Sequence, residues 1–169
     1  MDDAKLDFLK KITIFKDLDN EALRNIMRIL KVEAFLKGTQ IIREGDKSDG
    51  MYVLFNGMVG ITVNIYMKML KGGFEEKEKT LIKLSPGESS IFGEMALLEN
   101  DLRTATVTAL TDCELFKMTS GDFNRFAKEH PAHGYSIVAN IAKMISSRLR
   151  RTNKDIAKLT TALSIALES

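Results

Sequence analysis

The sequence predicts a mainly β domain, a sandwich or a barrel, with helices on both flanks and a long helix at its C-terminal end. Ten of the 11 glycines lie between Gly38 and Gly121. Glycine supplies the positive φ that tight turns need, so this stretch is expected to hold the strands. The flanks instead show apolar residues at helical spacing. Many short strands joined by frequent turns are typical of sandwiches and barrels.

Composition and charge indicate a folded protein and exclude several classes. With 44% hydrophobic and 28% charged residues among 169, the chain can bury the core of one domain. Its net charge of +2 gives no general reason to expect a nucleic-acid partner. A single cysteine, Cys113, excludes an internal disulfide framework and an all-cysteine metal site. No apolar run is long enough to span a membrane, and the start lacks a signal-peptide profile, so we expect a cytoplasmic protein without membrane contact.

The first flank is expected to form two helices. Asp19 is the candidate N-cap of the second helix, and Glu21 lies in its first turn. A shorter helix before it would contain Leu6 and Leu9. The apolar face of the second helix would consist of Leu23, Ile26, Met27 and Leu30.

The glycine-rich stretch is expected to contain seven strands separated by turns. Its strongest signal is a hairpin in which two apolar runs, 51–55 and 58–63, flank Asn56-Gly57. The polar and charged residues 71–79 are interpreted as an exposed hairpin loop. The expected strands are 31–36, 39–44, 51–55, 58–67, 80–84, 103–110 and 114–119.

The last flank ends in a long predicted helix with a heptad seam. From about Ser136 onward there is no glycine or proline, and roughly 33 residues at 1.5 Å each give a rod of about 50 Å. Because such a rod overhangs a small domain, we expect the seam to pair with a second copy of the chain; the alternative is that it packs on its own domain. The seam comprises Val138, Ala142, Ile145, Leu149, Thr152, Ile156, Leu159, Leu163 and Ala166.

Residues 90–106 combine three features that suit a sugar phosphate. Gly93 permits a turn, and helix formers follow it, so a short helix would direct its free backbone N–H groups at an anion. Arg103 can bring a guanidinium, which matches phosphate bidentately, to the same place. Glu94 would repel phosphate, but it can accept a hydrogen bond from a sugar hydroxyl. The pattern predicts a pocket for a sugar phosphate.

Two runs in this stretch resemble the phosphate-binding cassette of the cyclic nucleotide-binding domain family. Phe92–Ala96 reads Phe-Gly-Glu-Met-Ala, and Arg103–Thr106 reads Arg-Thr-Ala-Thr. The segments 38–45 and 49–57 resemble the family as well, and the similarity extends from about Lys16 to the end of the chain. The resemblance implies an eight-stranded jelly-roll β-barrel, or double-stranded β-helix, flanked by helices.

The same resemblance implies a division of the chain and a role for individual residues. It implies a binding domain at 1–131 and a dimerisation helix at 132–169. Glu94 would hold the ribose 2′-hydroxyl and Arg103 the cyclic phosphate. The amides of Ala96 and Leu97 would bind further phosphate oxygens. The full candidate set is Phe92, Gly93, Glu94, Met95, Ala96, Leu97, Arg103, Thr104, Ala105, Ile61, Leu81, Thr152 and Asn153.

Some members of this set have a second interpretation. Ile61 and Leu81 match positions that line the base in relatives, but core packing explains them equally well. Arg103 and Glu94 could also simply pair with each other in a domain that has lost its ligand. Residues 100–102, Asn-Asp-Leu, depart from the glycine and proline that relatives often have there, which leaves the shape of that loop open.

The long helix carries a further resemblance. Residues 147–155 resemble the dimer helix of the catabolite activator family, in which a Thr-Ser pair contacts the adenine amino group. Thr152 matches the threonine, and Asn153 replaces the serine but can also accept a hydrogen bond. These residues favour cAMP. Thr104 resembles the residue of cGMP-binding kinases, so cGMP is the alternative ligand. Without a ligand, the polar pair would set the register of the two helices.

These features predict a homodimeric cyclic-nucleotide sensor that an unknown downstream protein reads. Activators of the family carry a helix-turn-helix after the dimer helix, whereas this sequence stops at Ser169, so we expect no DNA binding from it. We find no nucleophile motif that would support an enzyme. His130 and His133 flank Pro131, so no metal site is expected there. The alternatives are a non-binding dimerisation or docking module, and a fragment of a catabolite activator-type regulator.

Overall fold

A computed structural model describes residues 2–68, 74–99 and 101–168, with side chains described at 3–63, 82–99 and 101–167. Within these ranges four α-helices flank the strands, and they include the two predicted in the first flank and the long helix predicted in the last. Asp19 caps the second helix by accepting a hydrogen bond from the Ala22 N–H at 2.7 Å. The helices are α1 (Asp2–Lys11), α2 (Asn20–Ile29), α3 (Ser120–Glu129) and α4 (Pro131–Glu168), with 3-10 turns at Thr13–Phe15 and Glu94–Leu97.

The middle of the chain forms two four-stranded antiparallel sheets. One sheet has the order β1-β8-β3-β6 and the other the order β2-β7-β4-β5. This arrangement confirms the jelly-roll fold with flanking helices. The two sheets are not joined into a closed barrel, so the architecture is a two-sheet sandwich. The strands are β1 (Lys31–Phe35), β2 (Gln40–Ile42), β3 (Gly50–Asn56), β4 (Val59–Lys68), β5 (Phe74–Leu84), β6 (Ile91–Phe92), β7 (Thr106–Ala109) and β8 (Cys113–Thr119).

Two features of the sheets differ from the sequence prediction. The loop expected at 71–79 is wrong from Phe74 onward, because β5 begins there and its backbone pairs with β4 as far as Lys68. Residues 71–73 lie outside the described residues. Polar composition did not prevent pairing, since strand formation depends on the neighbouring strand more than on intrinsic preference. The two-residue strand β6 was not predicted, because a run this short has no periodicity to detect.

Strand β3 separates the two parts of the hydrophobic core. Its alternate residues Met51 and Val53 pack under the helices, together with residues of α1, α2 and α3. Tyr52 and Leu54 face the other way, into the space between the sheets. Because both faces of β3 are covered, its apolar run is continuous rather than alternating. The strand next to it, β6, carries Phe92 to the edge of the space between the sheets.

Helix α4 is attached to the domain by its first half only. Ile137, Asn140 and Ile141 are buried against the helical layer, and Ile145 packs at its edge. Beyond Ile145 the helix is exposed, which confirms the prediction of an overhanging helix. The apolar residues Leu149, Ile156, Leu159 and Leu163 are 55–71% exposed. None of the helices in the described ranges is long and apolar enough to cross a membrane.

Candidate functional site

The site is built around a sharp turn at Gly93. This residue has φ +71°, a left-handed conformation that side chains rarely adopt, and the 3-10 turn Glu94–Leu97 follows it directly. We call Glu94–Leu97 the cassette turn. A Cβ on Gly93 would lie 2.6 Å from Nη1 of Arg103. Glycine is therefore required at this position for two reasons, the backbone conformation and the close approach of the guanidinium.

Arg103 is held in a fixed position below the cassette turn. It is 8% exposed, and its Nη2 donates to the Gly50 carbonyl at 2.7 Å and to Oδ1 of Asp49 at 3.2 Å. Nη1 donates to the Gly93 carbonyl at 3.3 Å. A buried arginine needs such acceptors because its desolvation is costly. The guanidinium is thus oriented before any ligand arrives.

Asp49 connects Arg103 to a second cation, Lys117 of β8. Lys117 Nζ donates to Oδ2 of Asp49 at 2.6 Å. Burial alone would raise the pKa of Asp49, but the hydrogen bond and charge of Lys117, with the charge of Arg103, lower the pKa below its ordinary value. Burial alone would lower the pKa of Lys117, but its hydrogen bond to Asp49 and its electrostatic interactions with Tyr52, Asp49 and Glu33 together raise the pKa above its ordinary value. Asp49 therefore stays ionised beside Arg103.

Glu94 lies on the other side of the turn and has a different partner. Its side chain is buried, with 4% of the residue exposed, and Oε1 accepts a hydrogen bond from Nη1 of Arg148 on α4 at 2.5 Å. Arg148 Nη2 also reaches the Ile91 carbonyl at 3.5 Å. The alternative in which Arg103 pairs with Glu94 is therefore wrong. The two charged groups have separate partners.

These residues surround an open pocket of about 170 Å³ between the cassette turn, the strand ends and α4. Phe92, one of its walls, is held by stacking on Tyr52 with ring centroids 5.4 Å apart. The pocket therefore has a cationic, an anionic and an apolar wall. These walls suit, in that order, the phosphate, the sugar hydroxyls and the base of a nucleotide. The predicted residues that line it are Phe92, Gly93, Glu94, Met95, Ala96, Arg103, Thr104, Ala105 and Ile61.

The other predicted site residues are placed differently. The Leu97 side chain belongs to the core under the helices and does not line the pocket. The Ala96 amide donates to the Gly93 carbonyl at 3.2 Å. Thr152 and Asn153 are exposed on α4 and do not line the pocket of their own chain. The side chain of Leu81 lies outside the described residues.

The unusual loop before Arg103 is fastened to the loop after β2. Lys47 and Leu102 form an antiparallel bridge, and the Arg103 N–H donates to the Asp46 carbonyl at 2.8 Å while the Gly45 N–H donates to the Arg103 carbonyl at 2.9 Å. These backbone bonds fix the position of Arg103 independently of the side chains in the loop.

A family model described as the cyclic nucleotide-binding domain matches residues 32–130. The chain belongs to this family. It is 31% identical to human cGMP-dependent protein kinase 2 over 98% of its own length and 21% of the kinase. It is 30% identical to the cAMP-dependent protein kinase regulatory subunit of Candida albicans over 92% of its length and 31% of that protein. The chain thus spans between a fifth and a third of these relatives.

The structural comparison agrees with the family assignment. The crystal structure of the Thermus thermophilus catabolite activator protein superposes with a TM-score of 0.70 and 26% sequence identity, covering 88% of this chain and 63% of that one. The fold of this chain therefore has a counterpart, over 88% of its length, in a solved structure.

Sequence reasoning missed several residues of this cyclic nucleotide-binding domain. Ile42, Ser48, Val107 and Arg148 line the pocket, and Asp49 orients Arg103. In the sequence, Arg148 lies in segment 147–155 of the long helix and Asp49 in segment 49–57, but neither residue has a local pattern that indicates a contact more than 50 residues away. Among the described residues, no group of three or more His, Cys, Asp or Glu side chains could hold a metal ion.

Proposed function

We propose that this chain is a cytoplasmic, homodimeric sensor of cyclic nucleotides that binds cAMP, with a regulatory and not a catalytic role. The observation that carries the proposal is that Arg103 and Glu94, both buried and each with its own partner, line one pocket. Because their partners differ, Arg103 and Glu94 do not pair with each other and can contact different parts of one ligand.

Each part of the nucleotide has a matching group. Arg103 would bind the cyclic phosphate through charge-assisted hydrogen bonds. The Leu97 amide would complete the phosphate contacts, and the Ala96 amide would join them only by giving up its 3.2 Å bond to the Gly93 carbonyl. Glu94 would accept the ribose 2′-hydroxyl. Ile61 and Leu81 would flank the base. A non-binding docking module does not require Arg103 to be preorganised by Asp49 and Lys117, so we favour the binding function.

The choice of cAMP depends on the second half of α4. Thr152 and Asn153 are exposed and do not reach the pocket of their own chain. In a dimer formed along the seam, these side chains of one protomer could contact the base held by its partner, and both can accept from an adenine amino group. Thr104 lines the pocket as well and supports cGMP. The relatives named above include kinases dependent on each nucleotide.

The exposure of the seam supports the proposed homodimer. Four large apolar side chains at heptad spacing, Leu149, Ile156, Leu159 and Leu163, are more than half exposed. Aligned apolar residues on a helix are stabilised by pairing with a second helix. The proposed occupant is α4 of a second copy, and this pairing would bring the two polar pairs close to the bound nucleotides.

In the proposed sensor, Arg148 couples ligand binding at Glu94 to the position of α4. It connects α4 to Glu94, the residue proposed to hold ribose. When a ribose hydroxyl enters, Glu94 has to share its oxygens between the ligand and Arg148. A ligand that interacts differently with two positions of α4 shifts their populations. A downstream protein would recognise one of the two positions of α4.

The test is calorimetric titration with cAMP and with cGMP after unfolding and refolding the protein to remove any nucleotide retained from the cell. We expect binding of both ligands, with cAMP tighter. Arg103→Glu should weaken binding at least tenfold, because a buried charged contact is lost and reversed. Arg150→Glu, an exposed arginine on α4, is the matched control and should bind as the wild type does.

The outcomes separate the candidate functions. Preference for cGMP would support the assignment of the pocket and would indicate that Thr104, not Thr152 and Asn153, determines the choice of nucleotide. No heat with either ligand would contradict the proposal and favour the docking module. Equal binding by wild type and Arg103→Glu would show that the pocket is wrongly assigned.

A further inference from the structure

The first residue of α3, Ser120, touches both halves of the pocket without lining it. Its Oγ donates to the Ala96 carbonyl in the cassette turn at 2.6 Å, and its N–H donates to the Asp49 carbonyl at 3.0 Å. Asp49 in turn orients Arg103. One residue thus joins the turn to the loop that holds the arginine.

The hydroxyl of Ser120 is not needed to begin α3. The N-cap is Thr119, whose side chain accepts from the Asp122 N–H at 3.1 Å. A residue at the next position has no capping role for its side chain. The 2.6 Å bond from Ser120 to Ala96 is therefore a contact with the cassette turn and adds nothing to the helix cap.

The acceptor of this bond belongs to the peptide unit that also contains the Leu97 N–H. A peptide unit is planar and trans, so fixing the direction of its carbonyl fixes the direction of its N–H. A hydrogen bond accepted by the carbonyl also polarises the unit and makes its N–H a stronger donor. The Leu97 amide is one of the groups proposed to bind phosphate.

We infer that Ser120 is a positioning residue for phosphate binding: it orients the Ala96–Leu97 peptide and holds it in register with Arg103. The inference rests on the proposed function. It adds a residue from outside the cassette, on the helix that connects the pocket to α4. The contact between the phosphate and the oriented Leu97 amide would add to the affinity that the other pocket residues provide.

The experiment measures the affinity of Ser120→Ala for cAMP and for the two diastereomeric phosphorothioate analogues, in which sulfur replaces one exocyclic phosphate oxygen. We expect cAMP to bind about fivefold more weakly, the range that one lost hydrogen bond gives. The wild type should discriminate against the analogue whose sulfur replaces the amide-bound oxygen, and Ser120→Ala should lose most of that discrimination. Ser120→Thr, which keeps the hydroxyl, should restore both properties.

The control is Ser136→Ala, which removes a serine hydroxyl that donates to a carbonyl of its own helix at 3.1 Å. It should match the wild type with all three ligands. A weaker Ser120→Ala variant with unchanged discrimination would assign Ser120 a structural role only and overturn the inference. Wild-type affinity in Ser120→Ala would overturn it as well. If the wild type itself binds no cyclic nucleotide, the proposed function fails first, and the inference fails with it.

Discussion

Arg148 and Glu94 form a 2.5 Å ion pair that joins the long C-terminal helix to the cassette turn. The carboxylate is almost fully buried, whereas 45% of the Arg148 side chain is exposed. The pair crosses 54 residues of sequence and connects the part of the domain proposed to hold ribose with the helix proposed to dimerise. It directly connects the proposed ribose site with the proposed dimerisation helix.

Replacement of Arg148 should lower stability and increase the response to ligand. Arg148→Met leaves a buried carboxylate without its cation, at a cost of about 1–2 kcal/mol given the partial exposure of the arginine. This corresponds to a decrease of about 2–8 °C in the melting temperature. Saturating cAMP should raise the melting temperature of the variant more than that of the wild type, because the ribose hydroxyl then gives Glu94 a partner. Differential scanning calorimetry with and without cAMP measures both effects.

Arg151→Met, an exposed arginine on the same helix, is the control for this prediction. It should leave both melting temperatures unchanged. An equal ligand response in Arg148→Met and wild type would contradict the idea that Arg148 and ribose share Glu94.

Gly93 is expected to tolerate no side chain. Gly93→Ala introduces a Cβ 2.6 Å from Arg103 Nη1 at a positive φ, which should cost about 1–2 kcal/mol in the backbone alone. Displacement of the guanidinium should also weaken cyclic-nucleotide binding at least tenfold. Titration calorimetry and urea unfolding check the two effects. Gly87→Ala is the control, since a Cβ there meets nothing within 4 Å; similar losses in both variants would refute the steric explanation.

Asn140 is the polar anchor of α4. It is buried, and its Nδ2 donates to Oδ2 of Asp17 at 3.1 Å. Asn140→Ala should destabilise the fold by about 1–2 kcal/mol, because a buried hydrogen bond is lost and the packed volume decreases. Urea unfolding at neutral pH measures this change. Asn25 is half-buried, and its Oδ1 accepts an exposed hydrogen bond from Arg28. Asn25→Ala should therefore change stability much less than Asn140→Ala, and a larger loss in Asn25→Ala would disprove the anchoring role.

The ionised Asp49 side chain should make the free energy of unfolding depend on pH. Its folded pKa is lowered, so its contribution is fully present above the unfolded pKa of about 3.9 and is lost as the pH falls through the folded pKa. Urea unfolding at several pH values should find Asp49→Asn less stable than wild type at pH 7. The difference should decrease below about pH 4. The side chain is 60% exposed, so the effect is expected to be small. A difference that stays constant with pH would exclude the ionised carboxylate as its source.

The seam should determine the oligomeric state. Ile156→Lys places a charge in the apolar stripe and should convert a dimer to a monomer, as measured by light scattering over a range of concentrations. Thr161→Lys adds the same charge on α4 outside the heptad positions and should leave the dimer intact. A wild type that is monomeric at every concentration would disprove pairing along the seam.

Local patterns were sufficient for much of this protein. The Asp19 cap, the Asn56-Gly57 hairpin and the turn at Gly93 were predictable because turns and caps are specified by residues a few positions apart. The cassette residues from Phe92 to Ala96 and from Arg103 to Ala105 were predicted from the family resemblance, and the structure places them around one pocket.

What the sequence determined by itself is therefore the class of fold, the short segments that carry chemistry, and the periodicity of the long helix. Only the tertiary structure decided which groups meet: Asp49 with Arg103, Arg148 with Glu94, Ser120 with Ala96, and the extension of β5 back to Phe74. The physical reason is distance along the chain. Hydrogen bonds and ion pairs between residues tens of positions apart depend on how sheets and helices pack, and no repeating local pattern encodes that packing.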